Sequence, residues 1–369
     1  MRARIKPWRA TSQTEPPAGL SVHDRPPRSP VTTLGASGDQ QIIEAHHDGE
    51  HKMSSKANPS EDFLALRILL TENCNLSCVF CHNEGQLGLT RTSELGAGNF
   101  RILMRAGLMR NLRQVKFSGG EPTLHPDLPS LVTMSIEAGL DTVVISNGVK
   151  LRTLETVAGA GARICINVPS ADPETYRKLT GGQFELVAKT LSSLTGIGTE
   201  IAINSYAKLT PDITHIRSLL GLARANDCTL KLLLPCQVSS VEKQQQSRAA
   251  YASALMLLKC SLDGETPYDS CWTSDDQRKV RIVQPWCPRA CKAVAGYYKS
   301  LRLAADLTFI PCFGGSPSRV PVDFSSEESC RADLDRALSL TANGCGELSR
   351  LQILRRGRSH STHQEYHAD

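Results

Sequence analysis

Between residues 63 and 235 short apolar runs alternate with stretches of helical period. Leu64–Leu70, Gln114–Phe117, Thr142–Ser146, Arg163–Val168, Glu200–Tyr206 and Leu230–Leu234 read as strands. Phe100–Leu112, Leu128–Ala138, Leu151–Ala158, Phe184–Leu194 and Ile213–Ala225 read as helices. Near-continuous apolar strands separated by helices predict parallel strands covered on both faces. Six such units predict an α/β fold, a partial (β/α)6 TIM-type barrel, with its site at the C-terminal ends of the strands.

The pattern changes on both sides of this stretch. Residues 239–285 are polar, with one helix expected around Ala249–Leu258, and the segment from Trp286 onward is expected to form a layer closing the barrel mouth. Residues 1–58 hold Pro7, Pro16, Pro17, Pro26, Pro27 and Pro30, few large apolar residues and no helical or strand period, so disorder is expected there. Arg2, Arg4, Lys6 and Arg9 suggest a transit peptide only weakly, because no amphipathic helix accompanies them, and Met53 is an alternative start. The expected organisation is a disordered extension (1–58), the barrel (59–238), a C-terminal region (239–350) and a flexible tail (351–369). The tail's His360, His363 and His367 read as a frayed end.

Composition narrows the class. The chain has 369 residues, enough for a core that needs no disulfides. Its 13 cysteines are partly clustered, which matches metal binding in a reducing compartment, and a cytoplasmic location is expected. A net charge of +5, spread along the chain, does not argue for a nucleic-acid partner. No apolar run is long enough to span a membrane.

The chemistry concentrates just after the strands. Behind the first lie Cys74, Cys78 and Cys81, spaced Cys-x3-Cys-x2-Cys, with Phe80 before the third thiol. Three thiolates so close can hold three corners of a [4Fe–4S] cube and leave one iron open, whereas ordinary clusters take four cysteines. Structural zinc is the bland alternative, but it prefers four closed ligands. Behind the second strand comes Ser118-Gly119-Gly120-Glu121, whose glycines allow close backbone approach and whose carboxylate suits an ammonium group. Ser146-Asn147-Gly148 ends the third strand; Asn167, Ser170 and Asp172 follow the fourth, and Asn204 and Ser205 close the fifth. Each of these also fits ordinary turn or cap chemistry. A second set, Cys287, Cys291 and Cys312, would again leave one iron open, with buried free thiols as the alternative. Cys165 lies within a strand and reads as core.

These motifs together resemble the signature of the radical S-adenosylmethionine (SAM) superfamily. The resemblance implies reductive cleavage of SAM to a 5′-deoxyadenosyl radical that abstracts hydrogen from a substrate. It implies that Cys74, Cys78 and Cys81 bind the cluster, and that Glu121 holds the SAM amino group. Phe80, Ser118, Gly119, Gly120, Ser146, Asn147, Asn167 and Asn204 would complete the SAM site. An electron donor such as flavodoxin or ferredoxin is implied as partner, beside a small-molecule substrate.

From about Leu66 to Cys312 the chain resembles one branch, the GTP 3′,8-cyclases (MoaA-type). The matches include Leu66-Arg67-Ile68, Asp172-Pro173-Glu174-Thr175, Leu179-Thr180-Gly181, Leu230–Pro235 and Arg302-Leu303-Ala304-Ala305-Asp306. In that branch the C-terminal cysteines bind a second [4Fe–4S] cluster, here Cys287, Cys291 and Cys312, and Arg67 and Arg302 would bind substrate. The departures are Cys287-x3-Cys291, an insertion before Arg302, and Asn73, Gln114, Lys116 and Ser300 at positions where the branch places its triphosphate anchors. A triphosphate needs several charge-assisted contacts, and Lys does not replace an Arg fork. The expectation is therefore a cyclase relative that cyclises, rearranges or couples a less phosphorylated small molecule, such as a nucleoside or nucleotide monophosphate. A GTP 3′,8-cyclase and a peptide-modifying maturase stand as alternatives.

Overall fold

The computed structural model describes residues 63–81, 86, 95–235, 241–266, 269–284, 299–311 and 319–342. Six strands alternate with helices: β1 (Leu64–Leu69), α1 (Ala97–Leu108), β2 (Leu112–Ser118), α2 (Leu128–Glu137), β3 (Asp141–Ser146), α3 (Leu151–Gly159), β4 (Arg163–Asn167), α4 (Pro173–Thr180), α5 (Phe184–Leu194), β5 (Ile201–Tyr206), α6 (Ile213–Ala225) and β6 (Thr229–Leu233). The chain continues with α7 (Val241–Leu257), β7 (Ser261–Thr266), β8 (Asp269–Thr273), β9 (Lys279–Val283), β10 (Lys299–Leu303), β11 (Thr308–Ile310), β12 (Val320–Pro321) and α8 (Glu327–Ala342).

All twelve strands form one sheet in the order β12-β11-β10-β1-β2-β3-β4-β5-β6-β9-β8-β7. The partial (β/α)6 barrel expected from the sequence is its centre. The parallel run is longer than six, however: β10 pairs parallel with β1, and β9 pairs parallel with β6. The described part of the stretch after Trp286 therefore joins the sheet edge rather than forming a layer of its own. The polar stretch 239–285 hid three short strands, whose mixed residues carry no clean period. Helix α1 also stops earlier than its pattern suggests. The chain turns at Asn111, which adopts a left-handed φ of 57°, and Leu112 begins β2 with its side chain buried.

Strand alternation sorts the side chains into two populations. Leu64, Leu66, Ile68, Val115, Phe117, Val144, Ile164, Ile166, Ile201, Ile203, Leu230 and Leu232 are buried in the main core, against the helices. Burying each large side chain contributes about 1.5–3 kcal/mol. The alternate positions face the lumen. They include a small apolar group of Val143, Cys165 and Ala202, together with Arg67, Lys116, Asn204 and Lys231.

Caps set the helix ends near the site. Asp172 accepts from Thr175 N–H (2.8 Å) to start α4, Pro173 occupies its first turn, and Gly181 ends it in the left-handed region at φ 73°. Asp212 starts α6 by accepting from Thr214 and His215 N–H. Helix α8 packs on α1, where Arg110 grips both Asp335 oxygens at 2.5 Å. Among the described residues no helix is long and apolar enough to cross a membrane.

Candidate functional site

The three cysteines ride on the loop that leaves β1 at its C-terminal end, and two glycine turns clamp that loop. On one side Gly120 N–H donates to Thr71 O (2.7 Å) and Glu121 N–H to Asn73 O (2.8 Å). A Cβ on Gly119 (φ 129°) would lie 2.6 Å from Thr71 O, and one on Gly120 would collide with Asn73 O. Glycine is required there because backbone meets backbone. On the other side Ser77 N–H donates to Thr180 O (3.0 Å) and Val79 N–H to Leu179 O (2.9 Å). Gly181 and Gly182 leave room for Ser77 Oγ and the Leu76 side chain, each 2.7–2.8 Å from a hypothetical Cβ.

Cys74 and Cys81 are exposed, and Cys78 is half-buried. Burial is the main force raising the Cys74 and Cys78 thiols, Cys78 to about 11. The neighbouring cysteines add to this at both, so the three sulfurs sense one another. Bound iron, a strong positive charge, would favour the thiolate forms of Cys74 and Cys78 against that burial. Among the described residues no group of His, Cys, Asp or Glu is gathered so as to hold a single metal ion. A loop of mutually sensing thiols spread over Cys-x3-Cys-x2-Cys fits a multi-iron cluster, in which each thiolate meets its own iron.

Glu121 is 1% exposed. One carboxylate oxygen accepts from Thr123 N–H (3.1 Å), Thr123 Oγ1 (2.5 Å) and Ser146 Oγ (2.8 Å), and the other from Asn147 N–H (2.7 Å). Burial raises its pKa against these four stabilising donors. The carboxylate thus stitches the Gly-Gly turn to the end of β3. Asn147 carries the link onward, its Nδ2 donating to Asn75 Oδ1 (2.7 Å) and lying 3.9 Å from Cys74 Sγ. Ser118, Gly119, Gly120, Glu121, Ser146 and Asn147 therefore come together around the cysteine loop.

Asn204 Nδ2 donates to Asn167 Oδ1 (3.3 Å) across β4 and β5. Phe80 meets Tyr206, at the end of β5, with ring centroids 4.8 Å apart. Ser170 accepts from Asp172 N–H and Asp172 caps α4, so both serve local turns. By alternation Ser205 faces away from Asn204, and its buried hydroxyl has no hydrogen bond.

Below this rim the lumen is cationic. Arg67 on β1 stands in register with Lys116 on β2 and Arg302 on β10. Arg67 also donates to Ser118 Oγ (3.4 Å). Lys231 on β6 places Nζ 3.5 Å from Cys165 Sγ on β4. Burial first, then Arg67, Lys231 and Arg163, push the Lys116 ammonium down to about 8, with Cys165 opposing. At the lower end Arg163 pairs with Asp141 and Glu200, and Gln114 donates to the same Asp141. Gln114 is thereby tied to the floor.

Sequence reasoning missed Gln86, which is wholly buried. Its Nε2 donates to Thr71 O (3.4 Å), and its Oε1 accepts from Ala305 N–H (3.0 Å), joining the entry of the cysteine loop to the end of β10. Nothing in its local pattern marks it. Lys231 was also missed as a site residue, although a lysine inside Thr-Leu-Lys-Leu-Leu is a signal of an inward polar position. Cys287, Cys291 and Cys312 lie outside the described residues.

Comparison with known proteins adds three findings. Residues 68–209 match the model of the radical SAM superfamily. A probable GTP 3′,8-cyclase of Thermococcus kodakarensis is 37% identical over 118 residues, 31% of this chain and 38% of that protein. One from Methanococcus aeolicus is 26% identical over 47% of this chain and 60% of its own length, and a GTP 3′,8-cyclase of Chlorobaculum tepidum is 27% identical over 67% and 77%. The chain thus spans between 38% and 60% of the first two relatives. Among solved structures, Streptococcus suis SuiB bound to its precursor peptide SuiA superposes with a TM-score of 0.56 at 13% identity, over 72% of this chain and 63% of that one. The AdoMet-bound anSMEcpe reaches 0.51 at 11% identity, over 76% and 81%. At such identities the likeness concerns the fold alone.

Proposed function

We propose that this chain, which belongs to the radical SAM superfamily and performs SAM-based radical chemistry on a small molecule in a biosynthetic pathway, is a cyclase of the GTP 3′,8-cyclase type. The observation that carries this reading is the lumen, where Arg67, Lys116, Lys231 and Arg302 project from four strands. A lumen lined by several cations suits a polyanion, and charge-assisted contacts to phosphate are among the stronger ones available. One named relative is a GTP 3′,8-cyclase and the other two are probable ones, in agreement with that chemistry. The expectation of a less phosphorylated substrate gives way to this alternative, because Lys231 supplies a chamber cation that had not been counted.

Cys74, Cys78 and Cys81 would hold a [4Fe–4S] cluster. When bound, the cluster supplies the electron that opens SAM to its 5′-deoxyadenosyl radical. The chain's own residues do the positioning. The two glycine turns fix the cysteine loop, while Phe80 and Tyr206 offer an apolar aromatic face at the rim. Asn147, Asn167 and Asn204 supply polar groups beside it, and the lumenal cations hold the phosphates. Cys287, Cys291 and Cys312 would hold a second cluster. A low-potential carrier of the flavodoxin or ferredoxin class would deliver electrons.

A second reading, a relative acting on a nucleoside or monophosphate, is favoured by Gln114, which is committed to Asp141 rather than offered to a ligand. An anaerobic assay with SAM and reductant separates the two. Equal concentrations of GTP, GMP and guanosine are compared, following 5′-deoxyadenosine and cyclised product. The cyclase reading requires coupled turnover of GTP above the other two; turnover confined to GMP or guanosine replaces it with the second.

A further inference from the structure

The lumenal cations project from two separate parts of the wall. Arg302, Arg67 and Lys116 stand in one register row on β10, β1 and β2. Lys231 stands apart on β6, in register with Asn204 on β5. Between them lie β3, β4 and β5, where the inner wall is apolar. Val143, beside Lys116 in register, packs with Cys165 and Ala202, which pair with each other across β4 and β5. Arg163, two residues below Cys165, is committed to Asp141 and Glu200. Three neighbouring strands therefore bring no available cation to that stretch of wall.

The Lys231 side chain crosses this gap. Its Cα stands level with Asn204 and Asn167, yet its ammonium sits 3.5 Å from the sulfur of Cys165. Cys165 lies two residues nearer the floor than Asn167, about 6.5 Å along the strand. The side chain thus leans down and across β5, where the small Ala202 stands beside Cys165. Among the described residues Lys231 forms no ion pair, and the Cys165 sulfur accepts its hydrogen bond. Sulfur is a weak acceptor. It steers a flexible four-carbon stem without taking the ammonium out of use, as a carboxylate would. An ammonium carries three donors, so one can point at the sulfur while the others serve a ligand.

We propose that Cys165 is a positioning residue, whose sulfur holds the Lys231 ammonium over the apolar wall of β3, β4 and β5 so that it faces phosphate from the side opposite Arg67 and Arg302. The proposal rests on the reading of the lumen as a polyanion site. Without the sulfur the stem is free to rise toward the Asn204 carbonyl oxygen, the alternative acceptor by register. The fourth cation would then leave the phosphates and crowd the polar rim.

The test compares Cys165→Ala with Cys165→Ser, two side chains of similar size that differ in offering an acceptor. GTP is titrated calorimetrically into the metal-free full-length proteins, and thermal melts show that each variant is folded. Cys165→Ala should weaken GTP binding by about 3- to 10-fold, and Cys165→Ser should recover most of that loss. Lys231→Ala, made in both backgrounds, closes a double-mutant cycle. It should cost less in the Cys165→Ala chain than in wild type, because the two residues act as one unit. Should Cys165→Ala fail to fold, Cys165→Val replaces it, since valine fills the same apolar wall. Wild-type affinity in the folded alanine or valine variant overturns the proposal. So do strictly additive losses, and so does a serine variant as weak as the alanine one, which would assign the effect to packing. Wild-type protein that binds no GTP would instead refute the polyanion reading of the lumen, and the positioning role would fall with it.

Discussion

Lys231 on β6 reaches past β5 to the Cys165 thiol on β4, with Nζ and Sγ 3.5 Å apart in the barrel lumen. The two residues sit in strands whose other positions, Leu230, Leu232, Ile164 and Ile166, are fully buried in the core beneath the helices. Cys165 is buried as expected, but in the small inner group with Val143 and Ala202. Chemistry and core are therefore divided by alternation within the same strands.

If the lumen binds a polyanion, each cation contributes separately. Arg67→Ala, Lys231→Ala and Arg302→Ala should each weaken GTP binding by about 10- to 100-fold, the equivalent of about 1.5–3 kcal/mol for a charged hydrogen bond. Calorimetric titration of GTP into the metal-free variants checks this without turnover. Variants that bind GTP as well as wild type would remove the lumen from the substrate site.

Lys116 predicts a pH dependence. Its side chain is partly reachable from the open lumen yet surrounded by protein at longer range, and the second property governs its desolvation. Burial and its cationic neighbours lower it from 10.5 to about 8. Below pH 8 the ammonium is charged in both folded and unfolded chains, and its burial penalty is fully present. Between pH 8 and 10.5 the unfolded chain binds more protons, so stability rises with pH through that window. The penalty is on the order of 3 kcal/mol. Lys116→Met should stabilise the metal-free protein at pH 7 and abolish the rise in melting temperature between pH 8 and 10, while weakening GTP binding. A rise that persists in the variant would assign the titration to another group.

The barrel was legible because each central strand is a short apolar run bounded by turn residues, as at Thr142–Ser146 and Arg163–Val168. The cysteine loop stood out by its spacing, and the Gly-Gly turn by its place at the end of the second strand. What was not legible depends on contacts far apart in sequence. Gln86 meets Ala305 across 219 residues, and β10 pairs with β1 although nothing in Lys299–Leu303 announces a barrel strand. Likewise the sequence reads Glu121 as a carboxylate suited to an ammonium group, and only the fold reveals that it is buried with four donors.

The glycine clamp gives a sharper mutational expectation. Gly120→Ala would force a methyl into the Asn73 carbonyl, and backbone cannot yield as a side-chain tip does. The loop must then move away from Ser118–Glu121, losing the bonds from Gly120 N–H to Thr71 O and from Glu121 N–H to Asn73 O. A destabilisation of about 1–3 kcal/mol is expected from the displaced backbone bonds, together with loss of most reconstituted iron. Gly139→Ala is the control for a left-handed glycine elsewhere, with open space around its missing Cβ. It should cost some stability and leave iron content unchanged. Iron content equal in both variants would show that the clamp does not hold the cysteine loop.

Gln86 couples the cysteine loop to β10, and its two bonds can be broken separately. Thr71 O also accepts from Gly120 N–H, so it stays satisfied when Gln86 is lost. Ala305 N–H is buried and accepted by Gln86 Oε1. Gln86→Leu therefore strands one buried donor, at a cost of about 1–3 kcal/mol. Gln86→Glu keeps the acceptor for Ala305 but sets a carboxylate oxygen against Thr71 O in a site closed to solvent. Because an unpaired buried charge costs more than an unpaired amide, the glutamate variant should be the less stable of the two at pH 8. It should recover part of the difference at pH 5, as the carboxyl takes up a proton and can donate to Thr71 O. Thermal melts of both metal-free variants at the two pH values check the ordering. A glutamate variant as stable as wild type at pH 8 would mean that Gln86 faces solvent rather than the seam between the loop and β10.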